Sequence, residues 1–360
     1  MFKKKRKYTK LKQKKIKKYL DTEFNIGLAI LRPILALLVV ITHFYNINNA
    51  KYIWKLIYKR TFRFFFHVRT FFVMSFYFSY KTLVSNDYKK KFKRLERICI
   101  PYFLWPIIIF FINNNLLSNF MKILKNITLE ELKVQLLFGS SFIGPLWYQW
   151  NLFFVTIFFI FITLLFKNHS NFIFIMISIL SFIYQYNGKN LQAFKKYTKY
   201  NVKYTIGRTI EILPYSAIGF IIASSGILNF LKKHRLKTII ACIYISYISV
   251  FYDIFIEKEG FEYNGLKMYF PSISLFIIFA LFPSDKINNK IIIKIIKQIT
   301  NYTAGVFYIH VPVYNYAVFY IKSLKNKTLK GCIIIYLICY LICFIGNHLF
   351  GKTILRNLFA

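Results

Sequence analysis

Acidic residues are scarce in this sequence: 12 Asp and Glu stand against 51 Lys and Arg, and the formal net charge is +39. An excess of positive charge of this size can indicate a nucleic-acid-binding protein. Here the basic residues are spread over nearly every segment between apolar runs and form no single patch. We therefore expect no nucleic-acid partner, and we interpret the basic loops as segments that orient apolar spans and contact anionic lipid head groups.

The sequence also lacks the elements of a soluble catalytic domain. It contains no glycine-rich phosphate-binding loop, no repeat at a fixed period and no long soluble segment. Its five cysteines lie in or beside apolar runs, and none is spaced with histidine or acidic residues as a metal site requires. We therefore predict no metal site and no bound cofactor, and we expect any chemistry to occur within or at the rim of a helix bundle.

Long apolar runs dominate the rest of the sequence, which is 57% hydrophobic and 21% aromatic. Soluble domains are usually about 45–50% apolar. Runs of roughly 20 residues are long enough to cross a bilayer as helices. They predict an all-α, polytopic integral membrane bundle of about ten transmembrane helices, at 26–45, 64–84, 98–117, 146–166, 171–186, 206–228, 238–256, 268–283, 301–320 and 331–351. Residues 286–299 alternate Lys with Ile and predict an amphipathic surface helix.

The distribution of Lys and Arg also predicts the orientation of the bundle. Residues 1–23 form a basic segment, which we interpret as a cytoplasmic tail, and residues 24–352 form the membrane domain. With an even number of spans, the loops on the side of this tail carry more Lys and Arg than the opposite loops. This bias predicts that both ends are cytoplasmic, in a multi-pass protein of the plasma or inner membrane.

Two polar residues stand out in the first apolar run: Arg32 and His43. A charged side chain at membrane depth costs at least about 2.5–3.5 kcal/mol, so its default interpretation is functional. Their spacing corresponds to about three helical turns, which places both side chains on one face and roughly 16 Å apart along the axis. The sequence therefore predicts a fixed cation at mid-membrane and a titratable imidazole near the end of the same helix.

Three further residues are candidates in the second and sixth spans. His67 is predicted at a depth similar to that of His43, where two imidazoles could act as a base and its partner. Alternatively, His67 is an interfacial residue among aromatic neighbours. Arg208 and Glu211 are three positions apart and can pair on one helix face. That pair could bind substrate or could simply lock two helices together.

Aromatic and polar residues at two other spans complete the set of candidates. Trp147 opens the fourth span and could anchor it at the membrane interface. Its polar neighbours Gln149 and Asn151 favour the alternative, that this stretch lines a cavity. His310 lies in the middle of the ninth span, where it is either functional or a hydrogen-bonded packing residue.

Taken together, these segments resemble the integral-membrane acyltransferase family 3, whose members O-acylate sugars of surface glycans. The resemblance covers nearly all of residues 24–350, and its strongest mark is the Arg-x10-His pattern of Arg32 and His43. Weaker similar stretches occur in the same order along the chain at Phe71–Phe76, Arg94–Tyr102, Gly144–Trp147, Arg208–Gly219 and Gly305–His310.

The resemblance implies an O-acyltransferase that uses acetyl-CoA or another acyl-CoA as co-substrate and a carbohydrate hydroxyl as acceptor. His43 would act as general base or would carry the acyl group. Arg32 would hold a donor phosphate or polarise the thioester carbonyl. Arg97, in the basic stretch Lys89–Arg97, would attract the CoA anion. Besides acyl-CoA and the carbohydrate acceptor, membrane lipids are the expected partners.

Two other classes of function stay open at this level. Intramembrane Arg, His and Glu also mark substrate and proton pathways, so the chain could transport or flip a glycan or lipid without covalent chemistry. It could also be an inactive scaffold, because Leu28, Ala29 and Phe76 stand where many family members carry other residues.

Overall fold

Helices account for nearly all of the described structure. The computed structural model describes residues 25–45, 66–113, 147–186, 202–255, 266–283, 287, 289–326, 328–351 and 353–359. These ranges contain no β-strand. The α-helices are α1 (Ile26–Phe44), α2 (Phe66–Val84), α3 (Tyr88–Asn113), α4 (Trp147–Leu165), α5 (Ser170–Tyr186), α6 (Val202–Ser225), α7 (Ile227–Lys233), α8 (Arg235–Phe255), α9 (Leu266–Ala280), α10 (Lys290–Asn301), α11 (Thr303–Tyr320) and α12 (Leu329–Leu349). Short 3₁₀ helices cover Lys167–His169, Lys322–Asn326 and Ile354–Leu358.

The predicted all-α class is therefore confirmed, and the described part of each of the ten predicted apolar segments is largely helical. Within the described residues, three helices are long and apolar enough to cross a membrane: α1, α4 and α12. A fourth candidate is the bent pair Thr209–Ser225 and Ile227–Lys233, whose axes differ by 73°. The bend follows Gly226, whose φ of 67° is left-handed and suits glycine. The count of ten spans and the cytoplasmic location of both ends stay predictions.

Two helices differ from their predicted limits in an informative way. Helix α3 begins at Tyr88, well before the predicted start at 98, because its first turns are polar and basic yet contain good helix formers. The hydrogen bond that Asp87 accepts from the Lys90 backbone N–H lowers the pKa of this carboxyl group just before the helix. The predicted amphipathic helix at 286–299 is found as α10, which begins after its N-cap Asn289.

Helix α2 lies at the centre of the bundle, where it packs against α1, α4, α6 and α9. Its crossing with α6 is close because Gly219 of α6 lies against the backbone carbonyl of Val73. A side chain at position 219 would collide with that backbone. Small residues allow such close approach between membrane helices. The interior next to this crossing consists of buried rings, among them Phe76, Phe159 and Phe220.

Large apolar side chains cover the outer faces of several helices. On α5 they recur at helical spacing and are exposed at Phe172, Ile175, Met176, Ile179, Leu180 and Ile183. Helices α8 and α12 show similar exposed apolar faces. Contiguous apolar surface of this kind indicates contact with a lipid or a protein partner. On helices of this hydropathy, lipid is the simplest partner.

Candidate active site

A cavity of about 620 Å³ opens among α1, α2, α3, α4, α10, α11 and the segment that follows α12. Five basic side chains line it, whereas one acidic side chain, Glu96, does so. The basic residues are Arg32, Lys93, Arg94, Arg97 and Arg356. Lys93, Arg97 and Arg356 are exposed, whereas Arg32 and Arg94 are half-buried. The cavity is therefore a positively charged pocket in which three cations are exposed and two are partly buried.

The two partly buried arginines are held by neighbouring side chains. The guanidinium group of Arg32 lies 4.6 Å from the centre of the Phe78 ring, a cation–π geometry. Arg94 Nη2 donates a hydrogen bond of 3.1 Å to Ser75 Oγ. The buried Nε of Arg94 has no hydrogen-bond partner in the described part of the chain. A buried N–H without a partner is costly, which suits a site that an anionic group completes.

Three aromatic rings pack together in the lining of the cavity. Tyr148 and Phe307 lie with ring centres 4.9 Å apart, and Phe71 lies 6.3 Å from Tyr148 and 6.2 Å from Phe307. All three residues also line the cavity. We call Phe71, Tyr148 and Phe307 the aromatic wall.

His43 and His310 form a pair next to the aromatic wall. Their ring centres are 5.0 Å apart, and the ring of Phe307 lies 5.9 Å from that of His310. His43 is exposed at the end of α1, whereas His310 on α11 is 0% exposed. The cavity lining includes neither histidine among the described residues. On α11, residues 303, 307 and 310 share one face, so this face leads from the cavity to the histidine pair.

The hydrogen bond of His310 fixes its tautomer. Its Nδ1 lies 2.7 Å from the Phe307 carbonyl oxygen, and that oxygen can only accept, so Nδ1 carries the proton. In the neutral ring the opposite nitrogen, Nε2, is an unprotonated acceptor. It is buried and has no hydrogen-bond partner within the described residues. The ring that carries this unpartnered nitrogen has its centre 5.0 Å from that of His43.

Two polar contacts link α6 to α2 and to α4. Arg69 Nη2 on α2 donates to Glu211 Oε1 on α6 in a buried ion pair. Thr209 Oγ1 on α6 donates to Asn151 Oδ1 on α4 over 2.7 Å. The sequence did not single out Arg69, although a charged residue inside a predicted span signals a need for a partner. The side chain of Arg208, the predicted partner of Glu211, lies outside the described residues.

The other predicted residues occupy different places. The side chain of His67 also lies outside the described part. Trp147 is half-buried and packs edge-on against Tyr148, with ring centres 6.5 Å apart, but the cavity lining includes Tyr148 and not Trp147. Arg97 does line the cavity. The structure therefore brings Arg32 and Arg97 to one pocket and His43 and His310 to one pair.

A comparison with protein families identifies the family of this chain. The family model described as an acyltransferase domain matches residues 25–353, nearly the whole chain. The chain belongs to this acyltransferase family. The predicted family is thereby confirmed, and the protein is a membrane-associated acyltransferase. Comparisons with curated proteins and with solved structures found no match.

Proposed function

We propose that this acyltransferase moves an acyl group, in the first instance acetyl, from acyl-CoA to a hydroxyl of a carbohydrate in a surface glycan. The observation that carries the proposal is the sequence of sites in the fold: a positively charged cavity, an aromatic wall and a histidine pair. A CoA thioester has the matching order of parts, with phosphates at one end and the reactive carbonyl at the other. No cofactor is needed for this transfer.

The charged cavity supports a phosphorylated donor. Four of its basic residues come from α1 and α3, and the unpaired Nε of Arg94 offers a further donor to an anion. Guanidinium groups bind phosphate through two parallel hydrogen bonds. In the predicted orientation the mouth of this cavity faces the cytoplasm, where acyl-CoA is made. The pantetheine arm would then extend past Arg32 toward the aromatic wall, with the thioester between the wall and His43.

The histidine pair supports general base catalysis. His43 would accept the proton of the acceptor hydroxyl while the oxygen of that hydroxyl attacks the thioester carbonyl carbon. The C–O bond forms, the C–S bond breaks, and the CoA thiolate takes up the proton that His43 gained, so that an ester and free CoA leave. His310 is a positioning residue: its neutral ring presents the Nε2 lone pair to the region of His43.

The acceptor would enter from the membrane face where α1 ends and α2 begins. Arg69 lies in the first turns of α2, and Asn151 lies in the first turns of α4. In the predicted topology of consecutive antiparallel spans, these turns lie at the same side of the bundle as His43. Carboxylate, amide and guanidinium groups are suitable hydrogen-bond partners for sugar hydroxyls. We therefore propose that the Arg69–Glu211 pair and the Asn151–Thr209 contact contribute to acceptor binding.

Acyl transfer can be measured directly in membranes that contain the protein. Membranes with and without the chain are incubated with radiolabelled acetyl-CoA, and label is counted in the glycan fraction. We expect label to depend on the chain, and His43→Ala to lower the rate by about 10²–10⁴, as loss of a general base does. His348→Ala is the matched control, because His348 is exposed on α12 and is not among the residues that line the cavity.

Two results would contradict the proposal. Equal labelling by wild type and His43→Ala would remove His43 from the chemistry. Movement of unlabelled glycan across the membrane, without any chain-dependent label in it, would instead favour a transporter or flippase.

A further inference from the structure

The segment that follows α12 completes the mouth of the charged cavity. Gly351, Thr353, Arg356 and Asn357 line the cavity together with residues of α3 and α11. Of these, Arg356 and Asn357 lie beyond residue 353, where the family match ends, and beyond the predicted domain limit at 352. They therefore belong to the cavity of this chain without belonging to the matched family domain.

This segment is firmly attached to the bundle. The indole Nε1 of Trp105 on α3 donates to the Leu358 carbonyl oxygen over 3.2 Å. The Phe359 ring stacks on that of Phe350, with centres 5.8 Å apart and an angle of 5° between the planes. Gly346 of α12 and Gly305 of α11 both lie against Phe359, so a side chain at either glycine would displace it. The segment is thus part of the packed core.

A short hydrogen-bonded chain orients Arg356. Arg356 Nε donates to Asn347 Oδ1 over 3.2 Å, and Asn347 Nδ2 donates to the Tyr302 hydroxyl oxygen over 3.4 Å. Within the described structure, no other side-chain hydrogen bond of Arg356 is found. Its two terminal Nη nitrogens therefore remain for a ligand, on an exposed side chain at the opening of the cavity.

We infer that Arg356, together with Asn357, binds a phosphate at the nucleotide end of the acyl-CoA donor. This inference rests on the proposed function. The thioester has to reach the histidine pair next to the aromatic wall, so the highly charged nucleotide end stays near the exposed cations of the cavity. Arg356 is one of these cations, together with Lys93 and Arg97. A guanidinium group held at Nε by Asn347 offers its Nη fork to phosphate oxygens.

The test is a kinetic comparison of donors in the full chain. Initial rates are measured for acetyl-CoA and for acetyl-dephospho-CoA, which lacks the 3′-phosphate, with wild type, Arg356→Gln and Asn347→Ala. We expect Arg356→Gln to raise KM for acetyl-CoA about tenfold with little change in kcat, as loss of one charge-assisted contact implies. Asn347→Ala should raise KM in the same direction, because it releases Arg356. Lys330→Gln, an exposed cation on α12, is the matched control.

The outcomes separate the two sources of phosphate and the two levels of the proposal. If the effect of Arg356→Gln disappears with acetyl-dephospho-CoA, Arg356 binds the 3′-phosphate; if it persists, Arg356 binds the pyrophosphate. An unchanged KM in a folded Arg356→Gln variant overturns the inference. If Arg356→Gln does not fold, Arg356→Lys is measured in its place. In that case the inference is overturned when both Arg356→Lys and Asn347→Ala keep the wild-type KM for acetyl-CoA. Wild type that transfers no acetyl group would instead refute the proposed function.

Discussion

Arg69 on α2 forms a buried ion pair with Glu211 on α6, across the central helix crossing of the bundle. The two side chains are 3% and 9% exposed. Pairing lowers the cost of burying each charge, and it ties together two helices far apart in sequence. The Arg69 guanidinium also lies 5.6 Å from the centre of the Tyr215 ring. The structure thus gives Glu211 an ion-pair partner on another helix, in addition to any contact within its own helix.

Removing one member of this pair should destabilise the protein strongly. We expect Arg69→Met or Glu211→Leu alone to cost about 3–5 kcal/mol of unfolding free energy, because each leaves a buried charge without its partner. The double variant Arg69→Met/Glu211→Leu should recover most of that loss. Thermal unfolding of the detergent-solubilised variants measures both effects, and Lys232→Met, an exposed cation on α7, is the control.

The same three variants also test the proposed acceptor site. Since the pair is assigned to acceptor binding, the double variant should fold yet transfer acyl groups poorly. A double variant that regains both stability and full activity would return Arg69 and Glu211 to a purely structural role.

His310→Asn should distinguish the role of Nδ1 of this imidazole from the role of Nε2. An Asn side chain can still donate a hydrogen bond to the Phe307 carbonyl, as Nδ1 does, but it has nothing in the place of Nε2. We expect a folded protein with kcat lowered about 10²-fold and KM for acetyl-CoA nearly unchanged. If His310 only packs α11, the Asn variant will keep its activity, so unaltered kcat would count against the positioning role.

Arg32→Lys should impair transfer nearly as much as Arg32→Ala. Lysine keeps the charge but lacks the planar fork for phosphate or carbonyl oxygens and stacks less well on Phe78. We expect kcat/KM to fall about 10²-fold in both variants. Arg235→Lys, at the start of α8, controls for the exchange itself. Full activity in Arg32→Lys would reduce Arg32 to a point charge.

The orientation of the bundle can be tested by thiol labelling. In the predicted orientation Lys93, at the mouth of the cavity, faces the cytoplasm, whereas Lys325, in the 3₁₀ helix after α11, faces outward. A membrane-impermeant thiol reagent applied to intact cells should therefore label Lys325→Cys and not Lys93→Cys. The unaltered chain, which has five cysteines, gives the background labelling that is subtracted. The reverse pattern would invert the orientation and place the donor cavity on the outer side.

Much of the fold could be predicted from the sequence. The ten apolar runs are local features, and the described part of each is largely helical because the apolar pattern and the helix propensity act over short stretches. The amphipathic helix α10 was likewise evident from the alternation of Lys and Ile. Helix limits were less predictable where polarity and propensity disagree, and α3 begins early at Tyr88 for that reason.

The sequence by itself determined the helical class, the family and the placement of Arg32 and His43 on one helix face, since periodicity fixes which residues of one helix lie together. Only the tertiary structure decided that His43 faces His310, that Glu211 pairs with Arg69, and that Arg356 completes the cavity. Each of these relations joins helices or segments distant in sequence. Such contacts depend on how side chains interdigitate across helix crossings, and no local pattern specifies that packing.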